Sequence, residues 1–410
     1  MIYLDAAATA PPRREVLEAM WPHLTGGFGN PSSRHAAGEA AARALEEARA
    51  AAAGVLGCGP GEIIFTSGGT EANNLAVKGL ALAGLDRRAG AAGNGSGVPP
   101  AAAGRSGPCG TGRPPHVVAT AVEHPAVLES LDYLRRRHGF TVKLLAVDAA
   151  GRVDPAEAAA ALTPETVLCT VMYANNEVGT VQPIREIAAH CRAASVPFHT
   201  DAVQAGGWLE LDVTDLGVDA ISLSGHKLGT PKGTGLLYLR GTRVLEPHMH
   251  GGGQERGRRS GTENVAGAVG MATALVLAAA EREDSARRAE VLRNRLIGAV
   301  LGRVPGARLT GHWTGRLPGH ASFCFPGTSG EAVLLELERA GVLCSSGSAC
   351  AAGADEPSAV LTAMGLDRET AQTAVRFTFT AAVTESEIDT AAAAAAAAVA
   401  AVERLGGRRT

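Results

Sequence analysis

Short apolar runs rich in β-branched residues alternate along the chain with alanine-rich stretches of helical pattern. The predicted strands are Ile63–Thr66, Val117–Thr120, Val167–Met172, Pro197–Thr200, Ala220–Leu223 and Gly235–Leu239. The predicted helices include Thr70–Leu85, Ala126–Arg137 and Ile184–Ala194. This alternation is typical of α/β proteins, in which helices cover both faces of a mainly parallel sheet. Ligands of such sheets bind at the carboxyl ends of the strands.

Three segments depart from this alternation. Residues 86–115 consist largely of Gly, Ala, Pro and Ser, so we expect a disordered surface loop in which Cys109 has no role. From about residue 260 the predicted helices lengthen and the strands thin out, which indicates a second, smaller domain. The alanine tract 391–398 predicts a terminal helix packed on the surface, too short to span a bilayer.

Composition and charge narrow the class of protein. The chain has 410 residues, 46% of them hydrophobic and 19% charged, which is ordinary for a soluble globular protein with a large and a smaller domain. The net charge of −3 does not indicate a nucleic-acid or membrane surface. The opening residues MIYLDAAATAPP lack the basic and apolar regions of a signal peptide. We therefore expect a cytoplasmic protein.

The seven cysteines form no CxxC pair, and in a reducing cytosol we expect free thiols, most of them buried. Cys350 differs because it lies in a run of small residues, 344–354, that has little to fix it in a core. An exposed, mobile thiol suits reactivity, although a loop cysteine without a role is the alternative. Cys344 follows an apolar run and is expected to be buried.

Lysine is rare in this chain: only four of the 38 basic residues are lysines. Lys227 directly follows the predicted strand Ala220–Leu223, and Ser224 and His226 beside it could bind a phosphate. An amine that can lose its proton beside an anchored anion suits a pyridoxal phosphate (PLP) Schiff base. A solvated loop lysine is the alternative.

Two further patterns favour the same cofactor. Asp201 ends a predicted strand, where a carboxylate could keep the pyridine nitrogen protonated, and Gln204 could reach the ring's 3′-oxygen. The alternative for Asp201 is a helix N-cap. Between the strand Ile63–Thr66 and the next helix, small residues that include Gly69 and Thr70 could offer backbone N–H groups to a phosphate.

Together these patterns resemble fold-type I PLP enzymes of the class-V aminotransferase group, and within it cysteine desulfurases of the nitrogen-fixation and iron–sulfur assembly type. The resemblance covers nearly the whole chain apart from residues 86–115. It is carried by the motifs YLDAAATAP, FGNPSSRH, FTSGGTEANN, VEHPAV, ANNEVGTVQP, HTDAVQ, SGHKLGTPKG, GGGQERGRRSGTENV, SSGSAC and VRFTF.

The resemblance implies a role for individual residues. Lys227 would form the Schiff base, Asp201 would bind the pyridine nitrogen, and His124 would stack on the ring and exchange protons. Cys350 would accept the sulfur. The remaining implied positions are Gly69, Thr70, Ser224 and His226 at the phosphate, Thr262 at the phosphate of a neighbouring subunit, Asn176 and Gln204 near the ring oxygen, and Asn176 and Arg376 at the substrate.

The resemblance also implies an organisation and a reaction. It implies a seven-stranded, mainly parallel sheet in a large domain, 16–258, and a smaller α+β domain formed by 1–15 and 259–410. The enzyme would be a homodimer with shared active sites and without a metal. It would convert L-cysteine to L-alanine and pass a persulfide from Cys350 to an acceptor protein. That acceptor would serve iron–sulfur assembly, tRNA thiolation or another thiolation pathway, without direct binding of nucleic acid or membrane.

Other functions remain open at this point. A selenocysteine lyase that acts on selenium alone would not need Cys350, so a Cys350→Ala variant assayed with both substrates would distinguish it from a cysteine desulfurase. An aminotransferase would leave pyridoxamine phosphate after one turnover. A catalytically silent scaffold would lack the cofactor's absorbance. The chain also departs from many relatives at Thr230, where a non-glycine residue cannot easily take a positive φ, so the turn after Lys227 is expected to differ slightly.

Overall fold

The computed structural model describes residues 1–92, 113–347 and 356–406. Its strands are β1 (Ile2–Tyr3), β2 (Ile63–Thr66), β3 (His116–Thr120), β4 (Thr141–Leu145), β5 (Thr166–Thr170), β6 (Phe198–Asp201), β7 (Ala220–Ser224), β8 (Gly235–Leu239), β9 (Arg308–Thr310), β10 (His320–Cys324), β11 (Val342–Leu343) and β12 (Ala374–Thr378). Its helices are α1 (Arg14–Thr25), α2 (Ala36–Leu56), α3 (Gly69–Ala92), α4 (Pro125–His138), α5 (Pro155–Ala161), α6 (Ile184–Ala193), α7 (Val213–Leu216), α8 (Val265–Arg303), α9 (Gly330–Arg339), α10 (Ala359–Ala363), α11 (Arg368–Ala371) and α12 (Glu385–Gly406).

The central sheet has seven strands in the order β2-β8-β7-β6-β5-β3-β4. Strand β8 is antiparallel to both of its neighbours, and the other pairs are parallel. Six strands therefore end at the same edge of the sheet. The predicted mainly parallel, seven-stranded sheet is confirmed.

Both faces of the central sheet are buried, which explains why its strands are continuous apolar runs. Successive residues point to opposite faces, so Ile63 and Val118 pack into the core on one side and Ile64 and Val117 into the core on the other. Helices α3 and α4 cover the second side, whereas α2, α6 and the first part of α8 contribute to the first. The alternation of strands and helices in the sequence follows from this layering.

The C-terminal third forms smaller sheets with a core of their own. Strands β12, β10 and β9 form an antiparallel sheet, and β1 pairs with β11 in parallel. Helix α12 contains the alanine tract and buries Ala391, Ala392 and Ala395 in this core. The predicted terminal helix is confirmed. Its small side chains let it approach the core closely.

Helix α8 connects the two cores. Met271 and Leu275 belong to the core of the central sheet, whereas Leu292 and Leu296 belong to the core of the smaller sheets. By length and composition α8 is apolar enough to cross a membrane, but half of its most apolar window is buried inside the protein, as in a core helix. The predicted domain boundary after residue 258 stays a prediction.

The prediction for residues 86–115 is partly wrong. The backbone of α3 stays helical to Ala92, beyond the predicted start of the disordered loop. Alanine and arginine, which favour helices, dominate residues 87–92 and explain the extension. Residues 93–112, with Cys109, lie outside the described part of the chain.

Candidate active site

Four polar or charged segments meet at the carboxyl edge of the central sheet. Strands β2, β3, β6 and β7 end there at Thr66, Thr120, Asp201 and Ser224. The segments that follow these strands carry Gly69, His124, Gln204 and Lys227. The parallel topology thus brings together most of the predicted cofactor residues.

Lys227 lies in a short 3₁₀ turn, Gly225–Lys227, directly after β7. Its Nζ donates hydrogen bonds to the carbonyl oxygens of Ala7 and, at 2.7 Å, Ala8. The sequence patterns did not indicate this contact, because a carbonyl acceptor leaves no trace in residue type. The N-terminal segment therefore orients the amine of Lys227.

The turn around Lys227 depends on two glycines. A Cβ at Gly225 would lie 2.4 Å from Thr230 Oγ1, so no side chain fits there. Gly229 has a φ of +89° and takes the left-handed conformation of the following loop. Thr230 therefore needs no positive φ, and its hydroxyl binds Thr234 Oγ1 at 2.6 Å.

Asp201 is a buried carboxylate that accepts hydrogen bonds from two donors. Its Oδ2 accepts from Asn73 Nδ2 at 2.6 Å, and its Oδ1 accepts from the backbone N–H of Val203 at 3.0 Å. Asn73 lies on the buried side of α3 and was not predicted as a site residue. The signal was present in the sequence, since an asparagine on the apolar face of a helix needs a buried partner. Asn73 fixes the orientation of the Asp201 carboxylate.

His124 caps the N-terminus of α4. Its Nδ1 accepts a hydrogen bond from the backbone N–H of Ala126 at 3.1 Å, which assigns the proton of the neutral ring to Nε2. Burial lowers the pKa of His124; the charge of Asp201 acts in the opposite direction and that of Lys227 adds to the lowering. The three predicted residues are therefore close enough to influence one another.

The predicted phosphate residues surround the N-terminus of α3. A Cβ at Gly69 would lie 2.7 Å from Val203 Cγ2 and 3.2 Å from Ser224 Cβ, so only glycine brings the helix start this close to the ends of β6 and β7. Thr70 follows in the first turn of the helix. An anion here would face the positive end of a long helix dipole.

His226 and Gln204 complete this side of the site. His226 Nδ1 is 3.2 Å from Thr9 Oγ1, and burial together with the charges of Lys227 and Lys232 lowers its pKa to about 4. Its ring is therefore neutral at pH 7. Gln204 Nε2 donates to the carbonyl of Ala7 at 3.1 Å, so Gln204 and Lys227 share one acceptor.

Arg376 is buried in β12 and already has a carboxylate partner. Its Nη2 donates to Asp5 Oδ1 at 2.8 Å, and its Nη1 donates to the carbonyls of Asn176 at 2.8 Å and Gly347 at 3.3 Å. A buried guanidinium needs such partners to offset its lost hydration. Asp5 was not predicted, although it lies in the motif YLDAAATAP. Asn176 accepts the hydrogen bond of Arg376 Nη1 through its backbone carbonyl and not through its side chain.

The remaining predicted residues differ in how far the structure describes them. Thr262 is exposed, beside a cleft that Ser67 also lines. Cys350 lies outside the described residues.

Cys344 is partly buried, and burial raises the pKa of its thiol to about 12, so it is a poor candidate for a thiolate nucleophile. Cys169, Cys191 and Cys324 are buried free cysteines and Cys58 is a partly buried one.

A cavity of about 410 Å³ borders Lys227 and Gln204. Its other walls come from the N-terminal segment, the segment after β6, the middle of α8 and the residues after β12, and they include Arg13, Trp208, Glu281 and Phe379. Arg13 and Glu281 form a bidentate ion pair at 2.7 and 3.0 Å beside this cavity. The cavity is bordered by Leu228, which belongs to the core of the central sheet, and by Phe379, which belongs to the core of the smaller sheets.

The chain is similar to known proteins over almost its full length. Residues 2–91 and 102–390 match the family model of class-V aminotransferases. Cysteine desulfurase IscS from Methanosarcina thermophila is 42% identical over 388 residues, which are 95% of this chain and 89% of that protein. This chain belongs to the cysteine desulfurases of the class-V aminotransferase family. The resemblance identified from the motifs is confirmed.

Solved structures of similar proteins agree with this fold. A NifS-like protein superimposes with a TM-score of 0.84 at 34% identity and covers 97% of this chain and 98% of its own. SspA in complex with cysteine superimposes with a TM-score of 0.76 at 34% identity and covers 92% of this chain and 99% of its own. The class-V family is PLP-dependent in general. The roles of the individual site residues stay predictions.

Proposed function

We propose that the chain is a PLP-dependent cysteine desulfurase that converts L-cysteine to L-alanine and leaves the sulfur as a persulfide on Cys350. The observation that carries this proposal is the meeting of Lys227, Asp201 and His124 at one sheet edge. These residue types are the amine, carboxylate and imidazole that PLP chemistry requires. The activity agrees with the names of relatives that are about 40% identical over most of the chain.

The residues at the sheet edge fit the cofactor. Gly69 forms a cradle that a Cβ would fill, at the start of the long helix α3 and beside Ser224, which suits a phosphate. The buried carboxylate of Asp201 suits the pyridine nitrogen. Lys227 would bind the aldehyde carbon, and Thr70 and His226 would contribute to the phosphate site. When bound, the cofactor supplies an electron-accepting ring next to the Cα of the substrate.

The protein's own groups move the protons. Lys227 Nζ, held by two backbone carbonyls, is the base that would take the Cα proton of L-cysteine. His124 holds its proton on Nε2 and has a lowered pKa, so it can exchange a proton with the substrate sulfur. Arg376 would bind the substrate carboxylate in competition with Asp5.

Sulfur transfer needs no external oxidant. The thiolate of Cys350 bonds to the sulfur of L-cysteine, while the bond between that sulfur and Cβ breaks and leaves its electron pair on the carbon side. A proton then completes the methyl group of L-alanine. The products are one L-alanine and one Cys350 persulfide, which a thiol of an acceptor protein would take.

We further propose a cytoplasmic homodimer in which Thr262 reaches the phosphate of the partner's site. The exposure of Thr262 on the isolated chain supports this arrangement. Binding of cysteine is supported by the similar structure of SspA, which is in complex with cysteine. The acceptor is a protein of a scaffold or thiolation system.

The proposed function is tested by cysteine-dependent sulfide release in the presence of a reductant. The wild-type protein should bind PLP, absorb visible light and release sulfide with equimolar alanine. Cys350→Ala should keep the absorbance and lose sulfide release. Cys58→Ala, a change at a partly buried thiol outside the site, is the matched control and should stay active. Full activity of Cys350→Ala would refute the role of this thiol.

A further inference from the structure

Two short stretches flank the segment that carries Cys350, and we call them the Cys350 base: residues 345–347 and 356–358. Ser345 is joined to β12 by a β-bridge, in which Ser345 N–H donates to Arg376 O at 3.2 Å and Arg376 N–H donates to Ser345 O at 2.6 Å. Ser358 caps α10, and its Oγ accepts from Leu361 N–H at 3.1 Å. Both sides of the base are therefore anchored in the described fold.

Glu177 contacts both sides of the Cys350 base. Its Oε2 accepts a hydrogen bond from Ser358 Oγ at 2.5 Å. On the other side, Gly347 faces Glu177, since a Cβ added to this glycine would lie 3.5 Å from Glu177 Cβ. Gly347 has a φ of +76°, a conformation that favours glycine. Glu177 thus binds one end of the segment and lies next to the other.

Glu177 is itself fixed to the candidate active site. Its backbone N–H donates to Asn175 Oδ1 at 2.8 Å, and Asn175 Nδ2 donates to the carbonyl of Val122 at 3.0 Å, two residues before His124. The neighbouring Asn176 carbonyl accepts from Arg376. Burial raises the pKa of Glu177, whereas Ser358 and Arg376 act in the opposite direction. The position of Glu177 is therefore set by the segments that carry His124 and Arg376.

Within the Cys350 base, the Gly347 side is closer to Cys350 along the chain and therefore restricts its position more. Cys350 is three residues from Gly347 (350 − 347 = 3) and eight from Ser358 (358 − 350 = 8). Three residues of extended chain span at most about 11 Å. The carbonyl of Gly347 lies 3.3 Å from Arg376 Nη1. A shift of Gly347 would therefore move the start of this three-residue connection relative to Arg376.

We propose that Glu177 is a positioning residue for sulfur transfer, which binds Ser358, lies beside Gly347 and so fixes where the Cys350 segment leaves the fold relative to Arg376. This inference rests on the proposed function. Glu177 acts through the Cys350 base and does not touch the substrate. Its loss should slow the transfer of sulfur to Cys350 and leave the binding of L-cysteine nearly unchanged.

The test compares sulfur transfer with substrate binding in the PLP-loaded enzyme. Single-turnover formation of alanine is measured beside the Kd for L-cysteine, which is taken from the absorbance change on binding. Glu177→Ala should slow alanine formation by about 10²-fold, the usual cost of a displacement of about 1 Å, with little change in Kd. Glu177→Gln keeps an acceptor for Ser358 and should stay within about threefold of the wild type.

Ser358→Ala provides a second route to the same answer, because it removes the partner of Glu177 without changing the glutamate. Its matched control is Ser329→Ala, which removes the N-cap of α9 and no contact with Glu177. Ser358→Ala should slow alanine formation while Ser329→Ala should not. An active wild type with equal rates in both serine variants would overturn the inference. An inactive wild type would instead refute the proposed function.

Discussion

The carboxyl edge of the central sheet and the Cys350 base are built by different kinds of contact. At the sheet edge, Lys227, Asp201 and His124 each lie at or just after the end of a strand, so the parallel topology brings them together. The Cys350 base is held by contacts between residues far apart in sequence: a backbone β-bridge joins Ser345 to Arg376, and a side-chain hydrogen bond joins Ser358 to Glu177, 181 positions away. The sheet edge is preorganised by the order of its strands, whereas the Cys350 base depends on these long-range contacts.

This difference explains how the two halves of the proposed reaction are supported. Proton transfer at the Cα needs a fixed amine, and the rigid sheet edge holds Lys227 together with the Asp201 carboxylate that would bind the ring of the cofactor. Sulfur transfer needs a thiol that can first reach the substrate and then an acceptor protein. The long-range contacts of the Cys350 base would fix the two ends of the segment that carries this thiol.

The largest expected effect lies at the sheet edge. Lys227→Arg keeps the positive charge but cannot lose its proton, so cysteine desulfuration should fall by about 10³-fold or more. Lys232→Arg, an exposed lysine of the same loop, is the control and should retain activity. Sulfide release measures both variants. A Lys227→Arg enzyme within tenfold of the wild type would be incompatible with its role as the base.

Asn73 tests how far the sheet edge depends on a single side-chain contact, because it orients the carboxylate of Asp201. Asn73→Leu removes a 2.6 Å hydrogen bond to a buried carboxylate, which should slow desulfuration by about 10- to 100-fold. In an Asp201→Asn background the same substitution should have little additional effect, since its target is already changed. Independent, multiplicative losses in the double variant would show that Asn73 acts elsewhere.

Buried Glu123, at the sheet edge, makes the free energy of unfolding of the protein depend on pH. It accepts from Thr120 Oγ1 and Met172 N–H, both at 2.8 Å, and burial raises its pKa to about 8, with the charge of Asp201 acting in the same direction. The folded state then holds a proton that the unfolded state releases near its ordinary pKa. Stability should therefore fall from about pH 5.5 to about pH 7.5, by up to about 1.4 kcal/mol per pH unit from this group.

Urea unfolding at several pH values measures this slope. Glu123→Gln cannot titrate and keeps an acceptor for both donors, so its stability should depend less on pH in the same interval. An identical slope in the variant would mean that Glu123 is already ionised in the folded protein.

The smallest expected effect lies at Arg376. Asp5→Asn removes the carboxylate that competes with the substrate but keeps an acceptor at the same place. The KM for L-cysteine should decrease by about two- to fivefold, because the substrate carboxylate no longer competes with a charged group for the buried Arg376 guanidinium. Steady-state kinetics with Asp5→Asn test this. An increase in KM would show that Asp5 mainly orients the guanidinium.

The two regions also differ in how well the sequence predicts them. Lys227, Asp201 and Gly69 could be placed at strand ends because strand patterns and turn residues are local signals. Asn73, Asp5 and Glu177 were missed as site residues, because their roles depend on partners that only the tertiary fold brings within hydrogen-bond distance. The end of α3 was predicted wrongly because the composition of residues 86–115 as a whole indicates a loop, whereas the arginines and alanines at its start favour a helix.

The most direct test of the account is the mass of the Cys350 peptide after one turnover of the PLP-loaded enzyme with L-cysteine and no reductant. We predict that this peptide gains one sulfur atom in amount equal to the alanine formed, and that Lys227→Arg abolishes both products. Alanine formed without added sulfur on Cys350, or added sulfur on another cysteine instead, would contradict the account.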